Sequence, residues 1–466
     1  MRSTKSHFFT LFAFLVCTVL VLSNGFANRV FAAEDQADIY RSIAPIGDVL
    51  NEIMENYVEE PEIDEVVEGA LVGMMNSLDR HSSYVSAEML QNMREDHQGE
   101  FEGIGISIEQ DDEQNIQVVQ PIAGSPASRE GVRAGDIIVE IEGESAHGMS
   151  LSEAAQRIRG PEGTTVELKL LRRPDNGETA EVLDLEIERG KIPIESVKEA
   201  RLVEDSIGYI YISDFKSGTA EELREAIDEL KDEGMTALIL DFRWNPGGLL
   251  SASKETTEIF LPQDTLVTYT EGRDSNGEAS GNDLRLYTEE SPELPENFPV
   301  VILVNGQTAS SSEIVTGALQ YWARAIVVGE KTYGKGSVQT LIPLRRPENS
   351  ALRLTTAHYY TPGDVTIDKE GIRPDVEVEM DVETQLGVQR QLHRDDVEEE
   401  AEDVQLQRAI EILQEDDVFD DLLERYHQDP SVTQVAWQGD EEEGETEETE
   451  EQASETSDHS GGSSSQ

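Results

Sequence analysis

From Gly208 to Tyr321 the chain alternates short apolar runs with segments of helical period. The runs are Gly208 to Ile212, Ala237 to Phe242 and Val300 to Val304; the helical segments are Thr219 to Asp232, Ser251 to Phe260 and about Ser312 to Tyr321. Apolar runs bounded by turn residues read as buried strands, and amphipathic helices between them read as their cover. This stretch is therefore an alternating β/α core.

The flanking regions follow other periods. From Asp38 to about Met93, Ile39, Ile43, Ile46, Val49, Leu50, Ile53, Met54, Val66, Leu71 and Met75 recur at helical spacing. From Gly99 to about Gly190 short alternating strands (Gly105 to Ile108, Ile116 to Val119, Ile137 to Ile141, Val166 to Leu170) are separated by glycine turns and interrupted by one amphipathic helix, Ser150 to Arg159. Past Asp381 the chain is charged, with helical pieces at Val404 to Leu413 and Val418 to Tyr426, and from Asp440 it is Glu, Thr and Ser, a composition that predicts disorder. The expected architecture is α+β/mixed: an N-terminal helical region at 34–98, a small β domain at 99–190 inserted ahead of an α/β core at 191–380, a C-terminal helical region at 381–438 and an acidic tail at 439–466.

Residues 1–33 run from Arg2 and Lys5 through the apolar stretch Phe8 to Leu22 into Val30-Phe31-Ala32-Ala33, the layout of a signal peptide cleaved near Ala32. The apolar stretch is about 15 residues, short of the roughly 20 that span a bilayer comfortably, so an uncleaved membrane anchor is the alternative. Either way the chain is exported. Cys17, the sole cysteine, lies in this leader without the small residue before it that a lipid-attachment site requires, so the mature chain has no thiol or disulfide chemistry. The net charge of −61 comes from acidic residues spread through every region, which reads as a solvated surface adapted to high salt and disfavours nucleic acid as a partner.

Gly103-Ile104-Gly105-Ile106, then Ser125-Pro126-Ala127, then Gly131-Val132-Arg133-Ala134-Gly135-Asp136-Ile137-Ile138 resemble a PDZ domain of the bacterial protease-associated type. Alone, the glycine loop is a tight strand entry; in this company it is a place where backbone N–H groups converge on a peptide carboxylate, beside a strand edge that an extended peptide can join. Gly103, Ile104, Gly105 and Ile106 are the expected carboxylate-binding residues.

Three further stretches carry chemistry: Asp241-Phe242-Arg243-Trp244-Asn245-Pro246-Gly247-Gly248, Asn305-Gly306-Gln307-Thr308-Ala309-Ser310-Ser311-Ser312-Glu313, and Gly334-Lys335-Gly336-Ser337-Val338-Gln339. A serine between strand and helix is exposed at a helix N-terminus that favours developing negative charge; the same pattern is also an ordinary helix cap, a role open to Ser311 or Ser312. Lys335, between two glycines, has few neighbours to keep it in water, and burial turns an amine into a base. The P-loop order of glycines before Lys-Ser/Thr is absent, and no histidine stands in a nucleophile-elbow or trypsin-like context. Gln339 can orient the lysine through its side-chain oxygen or be a polar strand position. The Asn-Pro-Gly-Gly turn exposes main-chain N–H groups, the requirement of an oxyanion hole.

Together these stretches resemble the C-terminal processing peptidases, the serine/lysine S41 family, as do Leu78-Asp79-Arg80-His81-Ser82-Ser83-Tyr84 and Gly371-Ile372-Arg373-Pro374-Asp375. The resemblance implies Ser310 as nucleophile, Lys335 as base, Gln339 as its orienting partner, and oxyanion donors from Gly247 or Gly248 and from Ser311, without metal or organic cofactor. It also implies substrates with accessible C-termini, a PDZ domain that gates the site, and a homodimer built from the helical ends; Arg172 or Arg173, at the end of the last long strand of that domain, is a candidate relay for the gating or an ordinary solvated arginine. Three residues depart from the family pattern: Trp244 where a small polar residue is common, Gln307 ahead of Thr308-Ala309-Ser310, and Ser311 for the usual alanine. The alternative is a PDZ scaffold with a silent peptidase core.

Overall fold

The computed structural model describes residues 41–111, 113–173, 180–273, 284–393, 401–415, 418–419, 422–423 and 435–436. The leader at 1–33 and the acidic tail at 439–466 lie outside the described residues. The chain divides into two units, one of residues up to Leu90 with Gln339–Thr355, the other of Gln91–Val338 with Thr356 onward.

The larger unit is built on a sheet whose strands run in the order Val197–Val203, Ile207–Ile212, Ala237–Asp241, Val300–Val304, Ile326–Gly329, Val376–Glu377 and Val435–Ala436. The first pair is antiparallel and the rest are parallel. Ile207–Ile212, Ala237–Asp241, Val300–Val304 and Ile326–Gly329 are buried at every position. Strands covered on both faces cannot afford a polar face, which is why the sequence shows them as unbroken apolar runs.

Ile210, Ile212, Leu238, Leu240, Ile302 and Val304 point to one face, where Leu223 and Ile227 of the helix Thr219–Asp232 and Ile314, Val315 and Leu319 of the helix Ser311–Tyr321 pack on them. Tyr209, Tyr211, Ile239, Val301, Leu303 and Val328 point to the other, which Ala409 and Ile412 of the C-terminal helix Val404–Gln414 cover. Each such aliphatic side chain stabilises the fold by about 1.5–3 kcal/mol on burial.

The inserted β domain has its strands in the order Ile106–Gln110, Ile116–Pro121, Ile137–Ile141, Thr165–Arg172 and Glu181–Glu188, all antiparallel, with the short strand Glu144–Ser145 paired to Ile137–Ile141. Its core comprises Ile116, Val118, Ile138, Ile141, Val166, Leu170 and Ile187. The helices Pro126–Arg129 and Leu151–Ile158 are each capped by a serine, Ser125 and Ser150. The strands that enter and leave this domain, Glu100–Gly103 and Gly190–Pro193, pair with one another.

In the smaller unit, helices at 41–56 and Ile63–Asn76 precede the strand Ser83–Val85, which pairs with Ala351–Arg353. Asp79 organises the turn between them: its carboxylate accepts the N–H groups of His81 and Ser82, at 2.7 and 2.8 Å, and the Ser82 hydroxyl at 2.8 Å.

Asp375 sits 4% exposed ahead of the strand Val376–Glu377 and accepts hydrogen bonds from the Val327 N–H (2.8 Å) and the Gln320 amide (2.9 Å). Burial pushes its carboxyl up to about 7. A carboxyl raised by folding binds its proton more tightly in the native state, so its stabilising contribution is complete below the unfolded value and is lost as pH rises through about 7. Asp375→Asn cannot ionise and still offers an oxygen to Val327; turning the Gln320 amide to meet the new NH2 group gives up its bond to the Arg373 carbonyl (2.9 Å), which reduces the gain. This variant is expected to exceed the parent in stability by roughly 1–3 kcal/mol at pH 8, to keep only part of that advantage at pH 5 and to lose it below the ordinary carboxylate range. Melting curves across these pH values check it; a difference independent of pH would refute it.

Candidate active site

Ser310 is the N-cap of the helix Ser311–Tyr321, at the end of a turn leading from the strand Val300–Val304. The turn is pinned to a neighbouring loop: the Thr308 hydroxyl donates to the Phe242 carbonyl at 2.8 Å and the Ala309 N–H to the Asn245 carbonyl at 2.9 Å. Ser310 itself has φ 59° and ψ −116°. A non-glycine residue held there carries strain of order 1–3 kcal/mol, which persists only where the surroundings over-determine it. Sequence left the cap open to Ser311 or Ser312; the structure gives the cap position to Ser310, which is half-buried. The hydroxyls of Ser311 and Ser312 instead donate to the carbonyls of Gly248 (3.0 Å) and Asn245 (3.1 Å).

What over-determines Ser310 is Glu313, at the third position of the helix and fully buried. One carboxylate oxygen accepts the N–H of Ser310 (2.8 Å) and the N–H of Lys335 (2.8 Å); the other accepts the N–H of Gly334 (2.7 Å) and the Thr332 hydroxyl (2.6 Å). Burial pushes the Glu313 carboxyl up, and these four donors favour the anion and limit the rise. A single side chain thus fixes the backbone of Ser310 and of a loop 22 residues beyond Glu313. Lys335 is half-buried in that loop.

The Asn245-Pro246-Gly247-Gly248 turn closes against the same serine. The Asn245 side chain spans the turn, donating to the Ile212 carbonyl (2.8 Å) and accepting the Gly247 N–H (2.9 Å). A Cβ on Gly247, where φ is +95°, would lie 2.7 Å from Ser310 Cβ and 2.8 Å from the Ser311 nitrogen, so only glycine permits this approach. The Gly247 N–H is thus committed to the Asn245 side chain.

Gln339 lies in the strand Ser337–Pro343 and belongs to the smaller unit, where its amide is 3.5 Å from the Thr355 hydroxyl. Thr355 is in turn tied to Asp79 and Ser82, through its hydroxyl at 3.3 Å and its N–H at 3.1 Å. The segment Leu78–Tyr84 therefore braces the strand opposite Gln339.

In the inserted domain, Gly103 ends one strand and Ile106 begins the next, the edge strand of its sheet. Ile104 is buried in the domain core, and the carbonyls of Ile104 and Gly105 accept from Ala127 and Ile122, both at 2.9 Å. Gly105, at φ +74°, passes so close to Ser125 that a Cβ would sit 2.4 Å from that side chain. Arg172 forms a two-pronged ion pair with buried Asp136, both bonds 2.7 Å, and donates to the Gly131 carbonyl at 2.8 Å, so it braces the turn Gly131–Asp136.

Sequence reasoning missed the role of Glu313, although Ser-x-x-Glu at a helix start is the spacing of a capping box. It also missed the partners that Arg243 and Trp244 find in the C-terminal segment, Asp403 and Gln405 for the one and Met380 and Val388 for the other.

Residues 206–378 match peptidase family S41 and residues 117–172 match the PDZ domain. The chain is 38% identical over 379 residues to a carboxy-terminal-processing protease of Bartonella bacilliformis, an alignment covering 80% of this chain and 82% of that protein. It is 32% identical over 380 residues to the carboxy-terminal processing protease CtpA of Bacillus subtilis, covering 81% and 78%. Among solved structures, the photosystem II D1 C-terminal processing protease aligns at 26% identity and a TM-score of 0.40, covering 75% of this chain and 96% of that one. On this similarity the chain belongs to peptidase family S41, as a carboxy-terminal processing protease with a PDZ domain.

Proposed function

We propose that this chain is an exported serine endopeptidase that engages a protein's C-terminal end through its PDZ domain and cuts nearby peptide bonds with Ser310 as nucleophile, Lys335 as general base and Gln339 orienting the lysine. The observation that carries this reading is the Glu313 carboxylate, which accepts the main-chain N–H groups of Ser310 and Lys335 at 2.8 Å each.

In the reaction, Ser310 Oγ adds to the substrate carbonyl carbon as its proton passes to the neutral Lys335 amine. The oxyanion that forms is met by the N–H groups of Gly248 and Ser311 at the start of the Ser310 helix. Collapse breaks the C–N bond, Lys335 returns the proton to the leaving amine, and water, deprotonated by the same lysine, releases the acyl group from Ser310.

The loop Gly103–Ile106 and the edge strand after it receive the free carboxylate and the extended peptide. Exposed apolar residues on the helices at 41–56 and Ile63–Asn76, including Ile43, Val49, Met54, Ile63, Val67 and Val72, support a homodimer built from the helical ends. The leader supports export, by cleavage or as an anchor.

An unstructured protein ending in apolar residues with a free carboxylate is expected to be cut about tenfold faster or more by the mature chain than the same protein amidated at its end, since a hydrogen-bonded charge is worth about 1.5–3 kcal/mol. Cut sites mapped by mass spectrometry report the rates, and light scattering of the same preparation is expected to give twice the chain mass. Equal cutting of both substrates would remove C-terminal recognition from the reading.

A further inference from the structure

Arg243 and Trp244 open the turn that ends at Gly247 and Gly248, and both side chains run into the C-terminal segment. The Arg243 guanidinium is fully buried and its donors are all used. Nε lies 3.0 and 3.1 Å from the two Asp241 oxygens, and Nη2 reaches Asp241 at 2.6 Å and Asp403 at 2.7 Å. Nη1 reaches Asp403 at 2.9 Å and Gln405 at 3.2 Å. Asp403 is also the N-cap of the helix Val404–Gln414, accepting the Leu406 N–H at 3.0 Å, and Gln405 is tied to the Val378 carbonyl at 2.8 Å.

Trp244, at φ +60°, is held in a backbone conformation that bulky residues avoid. Its N–H donates to Asn305 Oδ1 at 3.1 Å, and its ring packs with Met380 and Val388, flanked by Leu392, Ala401 and Val404. The next residue, Asn245, holds the Gly247 N–H and the Ala309 N–H, one on each side of the Ser310 approach.

A buried charge cluster is weak evidence of stability, because removing ions from water offsets most of their attraction. What a fully used guanidinium fork does supply is fixed geometry. We infer that the C-terminal segment is part of the catalytic apparatus: Asp403 and the Met380–Val388 pocket clamp Arg243 and Trp244, and through them position the Gly247–Gly248 turn against Ser310. Arg243, Trp244 and Asp403 are positioning residues, since none of them reaches the reacting atoms. The pocket that receives Trp244 is formed by Met380, Val388, Leu392, Ala401 and Val404 of the C-terminal segment.

This inference rests on the reading of Ser310 as nucleophile. The mature full-length chain carrying Asp403→Asn, Trp244→Asn or Trp244→Phe is compared with the parent and with Ser310→Ala. Asparagine remains a good helix cap and leaves the Arg243–Asp241 pair in place, so Asp403→Asn loosens the clamp without removing a structural element. Asparagine at position 244 accepts the positive φ but empties the pocket. Both are expected to lower kcat about 10- to 100-fold with KM within about twofold, less than the 10²–10³ that follows loss of an oxyanion donor. A peptide boronate, which forms the tetrahedral adduct, is expected to lose affinity in parallel with kcat/KM, and Trp244→Phe to recover most of it. Unchanged kcat in both asparagine variants, or a rise in KM alone, would overturn the clamp while Ser310→Ala stays silent. Activity surviving in Ser310→Ala would instead remove the reading beneath it.

Discussion

Lys335→Arg is expected to stop peptide hydrolysis as completely as Ser310→Ala, each lowering kcat/KM by at least about 10³-fold with the fold intact. Arginine keeps the positive charge and most of the length of lysine but does not give up its proton at any pH a protein survives, so it can hold an anion and cannot act as a base. The exchange therefore separates a lysine that deprotonates Ser310 from one that merely steers substrate. Because nucleophile and base act as a unit, the double variant is expected to be no slower than either single one. The Glu313 carboxylate accepts the main-chain N–H groups of Gly334 and Lys335 and so holds this loop through its backbone, and circular dichroism and melting verify that the variant is folded before any rate is taken. Rates on an unstructured protein, with cut sites mapped by mass spectrometry, decide it; more than a tenth of parental activity in Lys335→Arg would sink lysine as the base.

The fold was legible wherever one element's own pattern decides its place. Val300–Val304 is apolar at every position because it is covered on both faces, and Thr219–Asp232 carries Leu223, Ala226, Ile227 and Leu230 on one side because only that side is buried. The mixed architecture of an α/β core with an inserted β domain followed from such elements, and the PDZ identity of that domain came from the resemblance of its glycine-rich motifs. Strands that escaped the sequence reading are of another kind. Glu181–Glu188 alternates acidic and apolar residues and shows the core only part of one face, and Leu266–Gly272 finds its partner in Ala351–Tyr360, far along the chain. Nothing local marks the pairing.

The same division holds at the site. Ser310, Lys335 and the two glycines stand in short stretches whose residue types suggest chemistry by themselves. What brings the stretches together does not: the Arg243–Asp403 pair spans 160 residues, and Glu313 looks like half of a helix cap until its other three donors are seen. Arg172 reads locally as no more than an arginine at a strand end; its two-pronged pair with buried Asp136 is visible only in the structure.

Gly247→Ala is expected to cost about 10²–10³ in kcat/KM, chiefly in kcat. The new methyl would lie 2.7 Å from both the Ala309 carbonyl oxygen and Ser310 Cβ, and 2.8 Å from the Ser311 nitrogen. None of these is the mobile end of a long side chain: two are main chain, and the third is the first carbon of the proposed nucleophile. The backbone must yield, and it yields at the point where the Gly248 and Ser311 N–H groups would have to converge on one oxygen. The residue also sits at φ +95°, where a side chain adds strain, so a loss of about 1–3 kcal/mol in stability is expected alongside. That loss leaves a folded protein at low temperature, which circular dichroism verifies before any rate is taken. A folded Gly247→Ala enzyme working within tenfold of the parent would mean that the closeness of this turn to Ser310 is a matter of packing, and that the oxyanion is met elsewhere.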